Sequence, residues 1–129
     1  MKALSLSLLA LLLATAPAGA ACDIATADAA KGAKKYALCK ACHAAEAGVN
    51  KVGPSLFGIV DRPAATVEGY AYSAAMQAFA ATGAKWDIAT LDQYLKKPAA
   101  FIPKNKMTFA GLNKDEDRCN VIAHISTFK

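Results

Sequence analysis

Residues 39 to 43 read CKACH, and no other stretch constrains the fold of this chain as much. Two cysteines three apart with a histidine directly after can hold zinc, cycle between dithiol and disulfide, or carry a haem covalently. Each use demands different support from the remaining residues. Zinc needs four ligands, normally with a second close-spaced Cys or His pair. Outside the pentapeptide only Cys22, Cys119 and His124 remain, and their spacings match no zinc pattern. A redox dithiol follows a strand in a βαβ unit. Here the motif follows an Ala- and Lys-rich stretch, residues 25–41, that reads as helix with Asp28 placed to cap and Gly32 as its weak point.

Haem attachment fits without additions. The thiols of Cys39 and Cys42 would add to the two vinyl groups, so they must lie one helical turn apart on one face, as i, i+3 spacing provides. His43 then projects toward the iron as proximal ligand. An electron carrier also wants a soft, neutral sixth ligand, and a thioether meets that need while raising the reduction potential. Beyond the first residue the methionines are Met76 and Met107. Met76 recurs with Tyr72 and Phe79 at i, i+4, i+7 and reads as core filler of a short helix. Met107 lies in IPKNKMTFAG, an irregular segment between Pro103 and Gly111, where a side chain is readily fixed against a cofactor. Met107 is therefore the expected second iron ligand.

The first twenty residues carry Lys2, an apolar run from Ala3 to Ala14 and the small-residue site Ala18-Gly19-Ala20. That layout reads as a secretory signal peptide, and the run is too short for a comfortable membrane span. Cleavage there would leave residues 21–129 as one domain. Removing Lys2 leaves 14 basic against 10 acidic residues, a formal charge of 14 − 10 = +4. With only Arg62 and Arg118 among its arginines and no interleaved aromatics, the chain does not read as a nucleic-acid binder. After His43, glycines and prolines at 48, 53, 54, 58, 63 and 69 break up regular structure. A helix is expected from Ile88 to Lys97, ended by Pro98, then irregular chain to Leu112, then a terminal helix from Asn113 to Phe128. No strand pattern is convincing, so the expected class is all-α.

Several separated segments in fixed order now carry a resemblance: GAKKYALCKACH, KVGPSLFGIVDR, GYAYSAAM, WDIATLDQYLKKPAAFIPKNKMTFAGL and an Arg-containing terminal helix. From about Asp28 onward the chain resembles the class I c-type cytochromes, of the mitochondrial cytochrome c and bacterial cytochrome c2 type. The resemblance implies a small fold of helices wrapped around one covalently bound haem c. It implies that the Pro54 carbonyl orients His43, that Tyr72 and Trp86 hydrogen-bond a buried propionate with Arg62 nearby, and that the Tyr94 hydroxyl approaches the Met107 sulfur. Leu56, Leu95 and Phe109 would wall the ring. Gly32 would let the first and last helices approach closely, with His124 standing where the family usually has an aromatic.

Cys22 and Cys119 depart from the family pattern. Because the terminal helices of such proteins touch, a disulfide between them is expected in an oxidising compartment. Lipidation of Cys22, and two free thiols, are the alternatives. The function implied is a periplasmic, monomeric carrier of single electrons rather than an enzyme. Its donor would be a membrane cytochrome complex, and its acceptor a terminal oxidase or a photosynthetic reaction centre. Lys40, Lys51, Lys104 and Lys106 would steer docking on acidic surfaces. A haem subunit dedicated to one enzyme complex, and a gas-binding or peroxidase-like haem protein, are the rival readings.

Overall fold

A computed structural model describes residues 22–129, and the leader read over residues 1–20 lies outside them. Helix α1 (Ala29–Lys35) begins at a sequence-encoded cap, where Asp28 Oδ1 accepts the Lys31 amide at 3.0 Å. The stretch expected as one helix over residues 25–41 is in fact divided. Before Asp28, the Asp23 side chain takes the Ala25 amide at 3.0 Å and holds a turn, the competition with helix that short polar side chains offer. After Lys35 the chain tightens into a 3-10 turn, Tyr36–Leu38, and then brings the Cys42 and His43 amides onto the Cys39 carbonyl at 3.1 and 2.9 Å. The two cysteines are thereby set one turn apart.

Helices α2 (Ala74–Ala81) and α3 (Ile88–Lys96) start at Ser73 and Asp87, whose side chains cap the Met76 and Thr90 amides. Pro98 ends α3 as expected, because the residue before a proline is driven out of helical conformation. The same proline opens one further turn, α4 (Pro98–Phe101), inside a stretch the sequence had suggested to be wholly irregular. Helix α5 (Asp115–Ile125) is shorter than its expected span and carries Asp115, Glu116 and Asp117 in its first turn. Among the described residues the only β contact is an isolated bridge between Pro63 and Lys85, so the fold is all-α.

The core is the seam of α1, α3 and α5, built around the fully buried Val121 and Ile122 of α5. Gly32 makes the crossing possible: a β-carbon there would sit 1.9 Å from the Asn120 carbonyl oxygen. Asn120 Oδ1 accepts the Asp28 amide at 2.8 Å, tying the start of α1 to α5. Tyr36, His124 and Phe128 form a ring cluster beside this seam with centroids 5.1 to 5.2 Å apart, so His124 occupies the position where an aromatic was expected. The buried Arg118 holds α5 to its surroundings through Asp92 at 2.8 Å, Asp115, and the Leu112 and Asn113 carbonyls. Cys22 and Cys119 have Cα atoms 5.1 Å apart and sulfurs at bonding distance.

Residues 44–73 contain no helix, so side chains satisfy their backbone instead. Asn50 spans the stretch, accepting the Ser55 amide and donating to the Glu68 carbonyl, each at 3.0 Å. The Gly58 amide reaches the Phe128 carbonyl at 2.7 Å. Among the described residues no helix is long and apolar enough to cross a membrane.

Candidate functional site

A cavity of roughly 340 Å³ opens between the CKACH turn, the loops of residues 52–72, α3 and the segment 105–109, within the usual size of cofactor sites. All nine residues singled out from the sequence line it: Cys39, Cys42, His43, Pro54, Arg62, Tyr72, Trp86, Tyr94 and Met107. Leu56, Leu95 and Phe109 wall it as expected. Met76, read as core filler, also reaches this cavity because α2 has no fully buried face.

His43 Nδ1 lies 2.7 Å from the Pro54 carbonyl oxygen. A carbonyl can only accept, so Nδ1 carries the proton and Nε2 keeps its lone pair. Burial lowers the pKa of His43 despite that bond, helped by the nearby Lys51 and Arg62 charges, so the ring is neutral and able to ligate. Gly53 presses on the ring: a β-carbon there would be 2.3 Å from Cε1. Only a glycine fits between this ring and Pro54.

Burial, with a contribution from Cys42, pushes the Cys39 thiol up to about 11. Dithiol catalysts need a lowered thiol pKa, so this setting argues against that use of the motif. Among the described residues no group of three or more His, Cys, Asp or Glu side chains could hold a metal ion. On the far wall the Tyr94 hydroxyl lies 3.4 Å from Met107 Sδ. Burial pushes Tyr94 up to about 12, which keeps the hydroxyl protonated and available as a donor.

Arg62 donates from Nη1 to the Phe57 carbonyl at 2.7 Å and from Nη2 to the Ser55 carbonyl at 3.1 Å. Its Nε is one of two buried side-chain polar atoms without a hydrogen-bond partner among the described residues. No carboxylate pairs with Arg62 there, and burial depresses its pKa. A half-buried cation whose spare donor is buried beside an apolar cavity calls for an anionic group. Tyr72, whose oxygen accepts the Val67 amide at 3.1 Å, retains its proton for a second acceptor. A haem, with its apolar ring and propionates, fits this donor set.

At the mouth, Leu38 and Val52 are exposed apolar residues, and Tyr70 donates to the Val52 carbonyl at 2.9 Å. Lys51 and Lys106, two of the lysines expected to steer docking, stay exposed while hydrogen-bonding to loop carbonyls. Lys51 Nζ reaches the Lys40 carbonyl and Lys106 Nζ the Ala71 carbonyl, each at 2.5 Å, because both lie across from loop carbonyls left without helical partners. Gly53, Tyr70 and Asn105 also line this cavity, and nothing in their spacing marks them in the sequence: Gly53 reads as a loop glycine, Tyr70 as a neighbour of Tyr72 and Asn105 as a loop asparagine.

The family model described as Cytochrome c matches residues 29–129. Cytochrome c2 iso-2 of Magnetospirillum molischianum is 46% identical over 94 residues, covering 73% of this chain and 94% of that protein. Cytochrome c-554 of Methylosinus trichosporium is 42% identical over 130 residues, covering 99% of this chain and 95% of the relative. Among solved structures, cytochrome cH from Methylobacterium extorquens superposes with a TM-score of 0.71 at 40% identity, over 78% of this chain and 98% of its own.

Proposed function

Since the chain belongs to the cytochrome c family and carries one haem c joined covalently through a cysteine pair, we propose that it is an exported carrier of single electrons, with Cys39 and Cys42 as attachment sites and His43 and Met107 as iron ligands. The observation that carries this reading is the convergence of both free cysteines, the His43 imidazole and the Met107 thioether on one apolar-walled cavity. When bound, the haem supplies an iron that alternates between ferric and ferrous states.

What the chain contributes is geometry and dielectric. The Pro54 carbonyl fixes the His43 tautomer and strengthens its donation to a metal. Tyr94 orients the Met107 sulfur. Leu56, Leu95 and Phe109 exclude water, which favours the less charged ferrous state. Arg62, Tyr72 and Trp86 would receive the propionates. With His43 and Met107 holding the iron, no position would be left for substrate at the metal, so the role read here is carriage rather than catalysis.

Docking on acidic redox partners, a membrane cytochrome complex on one side and an oxidase or photosynthetic reaction centre on the other, would use the exposed Leu38 and Val52 with Lys40 and Lys104 around them. The leader would direct the protein to the periplasm and be removed after Ala20, leaving a monomeric domain of residues 21–129. In that oxidising compartment Cys22 and Cys119, already within bonding reach, would close a disulfide.

Absorption spectra and intact mass of protein matured with its attachment machinery test the proposal. The mass should equal the cleaved chain plus one haem, less two hydrogen atoms for the bridge. The oxidised spectrum should contain the far-red sulfur-to-iron band, lost in Met107→Ala. A protein without thioether-linked porphyrin, or a Met107→Ala variant with an unaltered spectrum, refutes it.

A further inference from the structure

Asn105 uses every polar atom of its side chain inside the segment that bears Met107. Its Nδ2 donates to the Pro98 carbonyl at 2.9 Å and to the Ile102 carbonyl at 2.7 Å. Its Oδ1 accepts the Met107 amide at 2.7 Å and lies 3.5 Å from the Tyr94 hydroxyl. Two carbonyls on one side and an N–H on the other fix which end of the amide points where. One half-buried residue therefore joins the start of α4, the body of α3 and the backbone of Met107 itself.

The segment needs holding. Lys104, directly before Asn105, sits at φ 65, a left-handed conformation that a side chain with a β-carbon adopts at a cost. Between Ile102 and Met107 the backbone has a single internal hydrogen bond, Asn105 N to Ile102 O at 3.2 Å. Left alone, such a turn would relax. The amide of Asn105 opposes that relaxation at both ends, and Tyr94 extends the hold to the sulfur, which its hydroxyl approaches at 3.4 Å.

We propose that Asn105 is the positioning residue for the Met107 thioether, clamping the 102–107 turn so that the sulfur stays in the cavity; this rests on the reading of Met107 as an iron ligand. The clamp bonds are lost when the turn swings away, so they set the small population in which the sixth position is open. An exogenous ligand that captures only the open form binds with an apparent affinity proportional to that population.

Imidazole titration of the oxidised holoprotein measures it. Asn105→Ala should bind imidazole about tenfold more tightly than wild type, as expected for one to two net hydrogen bonds lost from the closed form. Asn105→Asp keeps the acceptor for the Met107 amide but sets a carboxylate oxygen against the Pro98 and Ile102 carbonyls, and should bind imidazole at least as tightly as Asn105→Ala. Cys119→Ala, destabilised far from this turn, should retain wild-type affinity, which separates clamping from general loosening. Imidazole affinity within twofold of wild type in whichever Asn105 variant matures, or an equal rise in Cys119→Ala, overturns the proposal. Wild-type protein binding imidazole as tightly as Met107→Ala would show that no thioether is displaced, and the ligation reading would fall with it. Weaker binding by wild type than by Met107→Ala, with Asn105→Ala unchanged, would refute the role of Asn105 alone.

Discussion

Replacing Gly32 by alanine places a methyl carbon 1.9 Å from the Asn120 carbonyl oxygen, 2.5 Å from its carbonyl carbon and 3.0 Å from His124 Cβ. The nearest obstruction is backbone, which cannot rotate aside. Carbon–oxygen contacts are tolerated from about 3.3 Å, so α1 and α5 must part by roughly 1.4 Å at this point. The 2.8 Å bond from the Asp28 amide to Asn120 Oδ1 would then be lost, and Tyr36 would loosen against His124. Alanine gains about 1 kcal/mol in helix propensity. Against this stand an overpacking cost of about 1 to 3 kcal/mol, at its upper end because backbone blocks the way, and about 1 kcal/mol for the severed hydrogen bond. The net expectation is a loss of about 2 to 3 kcal/mol, or roughly 8 to 12 °C in Tm for a domain of this size. Thermal unfolding of the oxidised holoprotein, followed by circular dichroism, measures it. An unchanged or raised Tm would mean that the two helices do not meet through backbone at residue 32.

Gly53→Ala should disturb the ligand rather than the fold: its methyl would sit 2.3 Å from His43 Cε1, and moving the ring stretches the 2.7 Å bond to Pro54. Losing that bond weakens donation to ferric iron, so voltammetry should show a potential raised by up to about 40 mV, the one-electron equivalent of about 1 kcal/mol, and an unchanged value would refute the contact. His124 has its pKa lowered from the ordinary 6.5, chiefly by burial and then by Lys40, so it contributes stability above that value that is lost as pH falls through the folded pKa. His124→Phe should abolish this loss between pH 7.5 and 5 in guanidinium titrations, and equal losses in both proteins would sink the assignment. Cys22→Ala or Cys119→Ala should lower stability by up to about 4 to 5 kcal/mol, the chain-entropy value for a 97-residue separation. A reductant-insensitive denaturation midpoint would show that no bridge forms.

The site was legible in the sequence because its chemistry resides in distinctive residue types at fixed spacing. CKACH and Met107 identify themselves by what a haem iron requires, Pro54 enters only through the resemblance to class I c-type cytochromes, and the cavity contains each of them. Helix positions were legible where periodicity and proline coincided, as at α3. They were less so where short polar side chains choose between capping and turning: Asp23 holds a turn ahead of Asp28, and a helix read from Ala25 starts at Ala29. Asn105 was invisible because an asparagine in a loop has no period and no diagnostic spacing. Its role exists only once Pro98, Ile102, Tyr94 and Met107 are brought together. The same holds for the carbonyl contacts of Lys51 and Lys106, which no spacing in the sequence announces.

With the Cys22–Cys119 bond closed, nearly the whole described chain becomes a covalent ring, with only ten residues following Cys119. A single proteolytic cut in the long unhelical loops would then release no fragment. The nicked molecule would keep its mass apart from one added water, its colour and both halves of the α1–α5 seam, and would migrate as two pieces only after reduction. Of those pieces, only the one bearing residues 39 and 42 would carry the pigment, so the position of a nick could be read from which band stains for haem.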